Sequence, residues 1–567
     1  MATMNTKQYL PEKDYRLPDI DVLTMIFDSP LSWTNEATIL HAEAADPSNK
    51  LTKAECRVLT KRLSHTFRHE FGIGADGPDK DVVVCISSGQ IILAPLFYGV
   101  VGAGGIYSAA SSAFQPSELT RQLKQGRSTL LLASVDAKDV AIAAAKQCDI
   151  PLSRVLIFDS MGHKRELMPA DGKKVNYLDN RKEMSWPKIT DPEKLKTSRA
   201  CLLYSSGTTG PPKGVIVSHL NIVAEGLLPQ FLIREYFVRR RLKEPNYKFE
   251  YRTLAHLPAA HIAGLQGYLV NPAIAGGPVY WMPKFDFVKF LEYNKKFRIT
   301  TFFTVPPIYL LIAKSPLVRD QFASMEHAIS GAAPMGRELQ QAVQQKMGCY
   351  VSQTWGLSET TGSVTLMKWD ENDLTGSVSK VLPNQRLRIV DDDENDVEEG
   401  QEGELLAQGP VVTQGYFDNE NATKESFTRD GLWYKTGDIG VRRANGLFYV
   451  VDRKKELIKY KGLQVAPAEL EAYLIAHSKI LDAAVIGVPA PDGSGNELPR
   501  AYVVADKNVI NEDQIKEYVK KELASHKQLR GGVIYLDAIP KSPSGKILRR
   551  ELREMAKKEN RTTGAKL

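Results

Sequence analysis

The chain has 567 residues, more than one hydrophobic core can serve, so several packed domains are expected. Hydrophobic residues at 43% and charged residues at 25% are ordinary globular values and exclude disordered, collagen-like and coiled-coil classes. The 74 basic and 67 acidic residues leave a net charge of +7 spread along the chain, which does not point to nucleic acid but suits a small anionic substrate.

The first fifteen residues, MATMNTKQYLPEKDY, lack the apolar segment of a secretory signal. Residues 53–70 predict a helix, with Thr52 and Glu55 as a capping box and Val58, Leu59, Leu63 and Phe67 on one face. Residues 82–117 contain no charged side chain and resemble a membrane span at first sight. However, Ser87-Ser88-Gly89-Gln90, Pro95 and Gly102-Ala103-Gly104-Gly105 punctuate them, predicting a buried strand, a turn, a buried helix and another turn. The runs at 82–86, 129–132 and 154–158 alternate with helical patterns, the signature of βαβ units with mainly parallel sheets. Five cysteines, Cys56, Cys85, Cys148, Cys201 and Cys349, show neither CxxC pairing nor metal-ligand spacing and are expected as buried thiols in a reducing compartment.

From about residue 370 the strands shorten and acidic turns appear, and the run at 391–396 reads as a solvated hairpin loop. The small unit beyond it carries predicted strands at 483–488, 501–505 and 533–536 and a helix over 512–525. The expected class is α/β. A large region of mainly parallel βαβ sheets (1–452, β-rich from about 370) is followed by a hinge at 453–455 and a small mobile α+β domain at 456–567.

Between the apolar runs 200–203 and 215–217 lies YSSGTTGPPKGV, residues 204–215. Its glycines allow positive φ and close approach, its N–H groups and hydroxyls can donate to phosphate oxygens, and Lys213 adds a mobile positive charge. It is not a Walker A loop, because Gly214 rather than a hydroxyl residue follows the lysine.

Further stretches follow in order: AHLPAAHIAG (255–264), ISGAAPMGREL (329–339), QTWGLSETTG (353–362), LWYKTGD (432–438), VDRKKELIKYKGLQVAPAELE (451–471) and PKSPSGKILRREL (540–552). Together they resemble the adenylate-forming superfamily of acyl-CoA synthetases, firefly luciferase and peptide-synthetase adenylation domains, with a texture like that of the 4-coumarate–CoA ligase group. Agreement before residue 200 is diffuse.

The resemblance implies roles for individual residues. Ser205, Ser206, Gly207, Thr208, Thr209, Gly210 and Lys213 would cradle the ATP phosphates, and His261 would flank the carboxylate pocket. In the stretch Gln353, Thr354, Trp355, Gly356, Ser358 and Glu359, Trp355 takes the adenine, Ser358 the α-phosphate and Glu359 the Mg²⁺ ion; the family usually has tyrosine and threonine in place of Trp355 and Ser358. An aromatic face suits stacking, and a carboxylate suits a hard ion bridging phosphates. Asp438 and Arg453 fall on the ribose contacts, Lys546 on the adenylation lysine and Lys455 on the hinge. A lysine between a carboxylate and an α-phosphate neutralises two mutually repelling anions. Lys459 and Gln464 are implied to be catalytic, and Lys461 and Gly462 to contact CoA, in a second half-reaction. Ala263, Phe303, Gly331, Ala332 and Gly362 would line the acid pocket.

The expected activity is ATP-dependent joining of a carboxylic acid to CoA through an acyl-adenylate. One alternative is an adenylating enzyme feeding a carrier protein, but residues 262–270 contain no Asp or Glu to anchor an α-ammonium group. The other is a catalytically silent nucleotide-binding protein, against which stand Glu359, Asp438, Gln464 and Lys546. Arg239, Arg240 and Arg241 are expected in a polar loop, either simply solvated or meeting the 3′-phosphate of CoA. The terminal Ala565-Lys566-Leu567 is close to a peroxisomal import address, which predicts an import receptor as a partner.

Overall fold

The computed structural model describes residues 7–205, 212–461, 463–491, 496–542 and 545–564; the expectations at Ser206, Gly207, Thr208, Thr209, Gly210, Gly462, Ala565, Lys566 and Leu567 lie outside these. The first half of the chain is organised on a seven-stranded sheet, ordered Glu166–Pro169, Val155–Asp159, Leu130–Ser134, Val82–Ser87, Ile106–Ser111, Arg199–Ser205, Lys213–Ser218. Its five inner strands are parallel, and the two edge strands are antiparallel. The uncharged stretch forms the buried strand Val82–Ser87 and the fully buried helix Leu93–Gly102, as expected. Among the described residues no helix is long and apolar enough to cross a membrane.

The helix Lys53–Phe71 starts at the capping box of Thr52 and Glu55 and stops at Gly72, whose φ of +73° no side-chain-bearing residue adopts readily. It packs against Leu93–Gly102 at Gly99, where a Cβ would stand 2.5 Å from that of Leu63. Glycine there lets the two helices meet closely.

Parallel strands also build two further groups, Thr301–Thr304, His327–Ser330 and Tyr350–Gln353 in one, and Thr253–Ala255, Val279–Trp281 and Ile39–Glu43 in the other. The motif loops leave from the carboxyl ends of Arg199–Ser205, Thr253–Ala255, His327–Ser330 and Tyr350–Gln353. Carboxyl ends of parallel strands are where open α/β sheets bind ligands.

The β-rich part is an antiparallel sheet of Arg386–Val390, Gly403–Gln408, Tyr434–Arg442 and Phe448–Arg453, with residues 391–396 in the first connection. Beyond it, Ile458, Leu470, Leu474, Val485 and Val503 belong to a separate core. That core is covered by Asp482–Pro489, Glu497–Val504 and Val533–Tyr535. The helix expected to reach Ser525 ends at Glu522, because Leu523 turns extended and packs against the core.

Two expectations are corrected. Arg239, Arg240 and Arg241 lie not in a loop but in the last turns of the 25-residue helix His219–Lys243. Arg239 makes two 2.9 Å bonds to Asp370, and Arg240 pairs with Glu326 while lying 3.8 Å over the Tyr247 ring. Of the cysteines, Cys56, Cys85 and Cys201 are buried, but Cys148 and Cys349 are only half-buried; all five are free thiols.

Candidate active site

The phosphate hairpin is closed by Ser205 opposite Lys213 in the antiparallel pair. A second segment braces its outer edge, as Ile216 N–H donates to Gly415 O at 3.0 Å and Phe417 N–H to Gly214 O at 2.8 Å. This places the Tyr416 ring 5.0 Å from the Lys213 ammonium, while its hydroxyl donates to Glu359 Oε1 at 2.9 Å. Glu359 is buried on a single turn, Ser358–Thr360, that ends in left-handed Thr361. Tyr416 holds only one of its oxygens. Among the described residues no group of three or more His, Cys, Asp or Glu could hold a metal ion. A Mg²⁺ ion at Glu359 would therefore share its coordination with substrate phosphates and water, the usual habit of that ion.

Asp438 and Arg453 are register partners on adjacent strands, and Arg453 Nε lies 2.6 Å from Asp438 Oδ1. The Trp355 indole N–H donates to Asp438 Oδ2 at 2.8 Å. Burial pushes the Asp438 carboxyl up, opposed first by Arg453 and then by Trp355. Each carboxylate oxygen retains a lone pair for a ribose hydroxyl. A cavity of about 380 Å³ opens here, lined by Trp355 and Asp438 on one side and Ala332, Ala333 and Pro334 on the other. Gln353 and Thr354 also line this cavity, and their side chains are engaged with Met335, Gln340 and Thr365 and fix the loop.

A second, larger cavity of about 670 Å³ adjoins the first. Ser205, Lys213, Ser358 and Glu359 line it at the phosphate end, and His261, Ala263, Phe303, Ala332 and Gly362 also line it. Gly331 stands behind Phe303, where a Cβ would meet the ring at 2.7 Å. Ala332, Thr354, Gly356, Arg453 and Lys546 border both cavities.

Lys546 thus stands on the dividing wall. The turn that presents it depends on Gly545, whose φ is +81° and whose missing Cβ would lie 3.1 Å from Val305 Cγ2. Burial lowers the Lys546 pKa, as does Arg453, while Asp438 and Glu359 oppose them. His261 caps the turn that follows it and is pushed down to about 4 by burial and then by the charge of Lys546, so it is neutral at physiological pH. The other histidine of that motif, His256, is bonded to Leu254 and Thr304 and is structural.

Three of the remaining sequence-predicted residues, Lys459, Lys461 and Gln464, do not line either cavity. Lys459 and Gln464 face each other across the hairpin of Ile458–Tyr460 and Leu463–Val465; both are exposed, as is Lys461. Their hairpin lies elsewhere on the small unit while Lys546 occupies the site. Lys455 borders the larger cavity in the turn directly after Phe448–Arg453.

Sequence reasoning missed Tyr416, Glu225, Gln266 and Asn271, all four of which line the larger cavity. Glu225 had a legible signal, an acid inside the apolar run of residues 222–228. Glu225, Pro229 and Ile233 follow at four-residue spacing and form one cavity-lining stripe of the helix His219–Lys243.

Strands, hairpin and dividing lysine together define an enzyme that activates an acid on a nucleotide. The AMP-binding enzyme family pattern matches residues 32–417 and its C-terminal domain pattern matches 469–546. The chain belongs to this family of AMP-binding enzymes. It is 53% identical over 551 residues, 97% of this chain and 98% of the relative, to an Emericella nidulans protein assigned by its name to the acyl-coenzyme A synthetases. It is 41% identical over 366 residues, 62% of this chain and 65% of the relative, to 4-coumarate–CoA ligase 5 of Oryza sativa subsp. japonica. Among solved structures it resembles ATP-bound MatB from Rhodopseudomonas palustris, with a TM-score of 0.80 at 25% identity, covering 94% of this chain and 98% of that one.

Proposed function

We propose that the chain is an AMP-forming acid–thiol ligase that converts a carboxylic acid, ATP and CoA into an acyl-CoA, AMP and pyrophosphate. The observation that carries this reading is Lys546 on the wall shared by the larger cavity, which runs from the phosphate hairpin to His261 and Phe303, and the smaller cavity at Trp355 and Asp438. A carboxylate oxygen of the acid attacks the α-phosphorus, and the bond to pyrophosphate breaks. Lys546 neutralises the two approaching anions and the charge that builds at phosphorus. Trp355, Asp438 and Arg453 hold adenine and ribose, and Lys213 and Ser358 orient the phosphates. Glu359 would hold Mg²⁺, which supplies charge neutralisation on the phosphates. Neutral His261 shapes the carboxylate end without adding charge.

In the second half-reaction the CoA thiol sulfur attacks the acyl carbon, its proton leaves to solvent or a base, and AMP departs. We assign Lys459, Lys461, Gly462 and Gln464 to that step, after rotation of a small domain (456–567) against the large one (1–452) about Lys455. The exposed position of Lys459 and Gln464 while Lys546 is in the site supports this division of labour. Ala565-Lys566-Leu567 supports a further proposal of peroxisomal import; a fluorescent fusion should be punctate, and deletion of these three residues should disperse it.

The test is acid-dependent pyrophosphate release and CoA-dependent thioester formation across aryl, arylpropenoic and medium-chain acids, with phenylalanine and leucine as comparison. Faster turnover of the amino acids would favour the carrier-protein alternative. Pyrophosphate release that ignores the acid would overturn the ligase reading.

A further inference from the structure

Glu225 lies in the buried heart of the helix His219–Lys243, only 7% exposed among Ile222, Val223, Ala224, Leu227 and Leu228. Its Oε1 accepts the Ser363 N–H at 2.8 Å, but its Oε2 has no hydrogen-bond partner. Gln266, 5% exposed, donates through Nε2 to Ile222 O at 3.1 Å, which turns its Oε1 the other way and leaves that oxygen unpartnered too. Ile222 and Glu225 are one helical turn apart, so this bond brings the Gln266 amide beside Glu225. Asn271 Oδ1, farther along the same wall, is the third unpartnered oxygen. Glu225, Gln266 and Asn271 all line the acid cavity. Pro229 adds to the imbalance, since it has no N–H to offer the Glu225 carbonyl four residues back.

Buried acceptors without donors also occur elsewhere in the chain, at Asn49, Gln122, Asn294 and Gln385 for example, but these three share the lining of one cavity that a ligand can enter. The backbone around them is shaped for access. Gln266 lies in the π-helical stretch Leu265–Val270, a distortion frequent at functional sites, and Gly267 in its middle has nothing within 4 Å of where a Cβ would be. Glu225 also packs over Gly362, where a Cβ would stand 2.5 Å from its Oε1, so it belongs to the flank of the cavity near the nucleotide motif and not to its far end.

We propose that the acid bound in this cavity carries a hydroxyl group, seated against Glu225 and Gln266. Burial pushes the Glu225 carboxyl well above the ordinary carboxylate range, opposed by the N–H and hydroxyl of Ser363. A neutral carboxyl offers a proton on one oxygen, and a hydroxyl can accept it while donating its own proton to the Gln266 or Asn271 oxygen. An ammonium group would instead require Glu225 to ionise in an apolar wall. The inference rests on the ligase reading for its substrate class, but its binding arm is independent of catalysis.

The test compares matched pairs on the whole chain, with hydroxyls both near to and far from the carboxylate: mandelic and 4-hydroxyphenylacetic with phenylacetic acid, 3-(2-hydroxyphenyl)propanoic with 3-phenylpropanoic acid, 3-hydroxyoctanoic with octanoic acid, and 6-aminohexanoic with hexanoic acid. Pyrophosphate release gives kcat/KM, and calorimetry with the sulfamoyl-adenosine analogue of each acid gives affinity without turnover. At least one hydroxylated member should exceed its parent by about 10²-fold in both readouts, because a site built around polar groups rejects the analogue that leaves them unpaired. Glu225→Gln keeps an acceptor for Ser363 and supplies its own N–H to Gln266, so the preference should fall below about tenfold. Gln266→Leu should reduce it similarly, which covers the case of a poorly folding Glu225 variant. Parent acids equal to or better than their hydroxylated partners throughout, or a preference confined to 6-aminohexanoic acid, would overturn the proposal. Analogue binding without any acid-dependent pyrophosphate release would overturn the ligase reading while leaving the hydroxyl preference to be judged from the affinities.

Discussion

Replacing Lys546 with alanine should disable one half-reaction and spare the other. Its ammonium borders both cavities, and Gly545 holds it there against Val305 and Pro307. A charge pair about 4 Å apart at an effective dielectric of about 20 is worth roughly 4 kcal/mol. Water entering the truncated site returns part of that, so a loss of about 3–4 kcal/mol, or 10²–10³-fold, is expected in adenylate formation. The assay is acid-dependent pyrophosphate release, run beside conversion of chemically supplied acyl-adenylate plus CoA to thioester. The second reaction should keep most of its rate, because no α-phosphate is being attacked. Lys459→Ala should show the opposite bias. Gly545→Ala must place a side chain at φ +81°, a strain of about 1–2 kcal/mol, and should slow adenylate formation about tenfold without touching thioester formation. Equal damage to both steps in the two lysine variants would refute the separation of roles and the rotation with it.

Trp355→Phe removes the indole N–H from buried Asp438, a bond to a charged group worth about 1.5–3 kcal/mol, and should raise the KM for ATP about 10–100-fold while leaving the order of preferred acids unchanged in the same assay. A pH–rate profile of adenylate formation should show no limb near pH 6.5 from His261, which is held down at about 4, but should show an alkaline limb below the ordinary lysine value that vanishes in Lys546→Ala. Stability should fall on acidification for a separate reason. Burial holds His41 and His327 near 3 and His256 near 4, so between pH 6.5 and 4 the unfolded chain binds protons that the native one does not. With His219 and His261, also held near 4, five such groups cost up to about 7 kcal/mol per pH unit, and urea midpoints measured from pH 7 to 5 should drop accordingly; a flat profile would contradict the assigned burial.

Much of the site was legible because its chemistry depends on local sequence. Glycines, hydroxyls and a lysine in one hairpin, or a carboxylate after Thr436-Gly437, are local signals that need no reference to distant residues, and the structure brings Lys213, Glu359, Asp438 and Lys546 around two adjoining cavities. The order of strand and helix was legible where apolar runs were punctuated, as at residues 82–117. The failures have the opposite cause. Arg239, Arg240 and Arg241 looked like a loop because Pro229 and a run of charges break the helical pattern, yet Phe237, Phe249 and Trp369 pack together and carry the helix past both. Glu225, Gln266 and Asn271 come together only in three dimensions, so no spacing rule relates them. Tyr416 reaches Glu359 because its segment adds to the outer edge of the phosphate hairpin, a pairing across about two hundred residues that leaves no local trace.

The stripe of Glu225, Pro229 and Ile233 makes the helix His219–Lys243 a measuring rod laid along the acid. Each mark stands about 6 Å beyond the last. Because Glu225 packs over Gly362 of the nucleotide motif, the first mark is set at the nucleotide end, and bulk introduced at later marks would stop an incoming chain at graduated depths without disturbing the reacting end. Selection among acids by length can then drift through substitutions at positions 229 and 233, while the machinery of activation stays as it is.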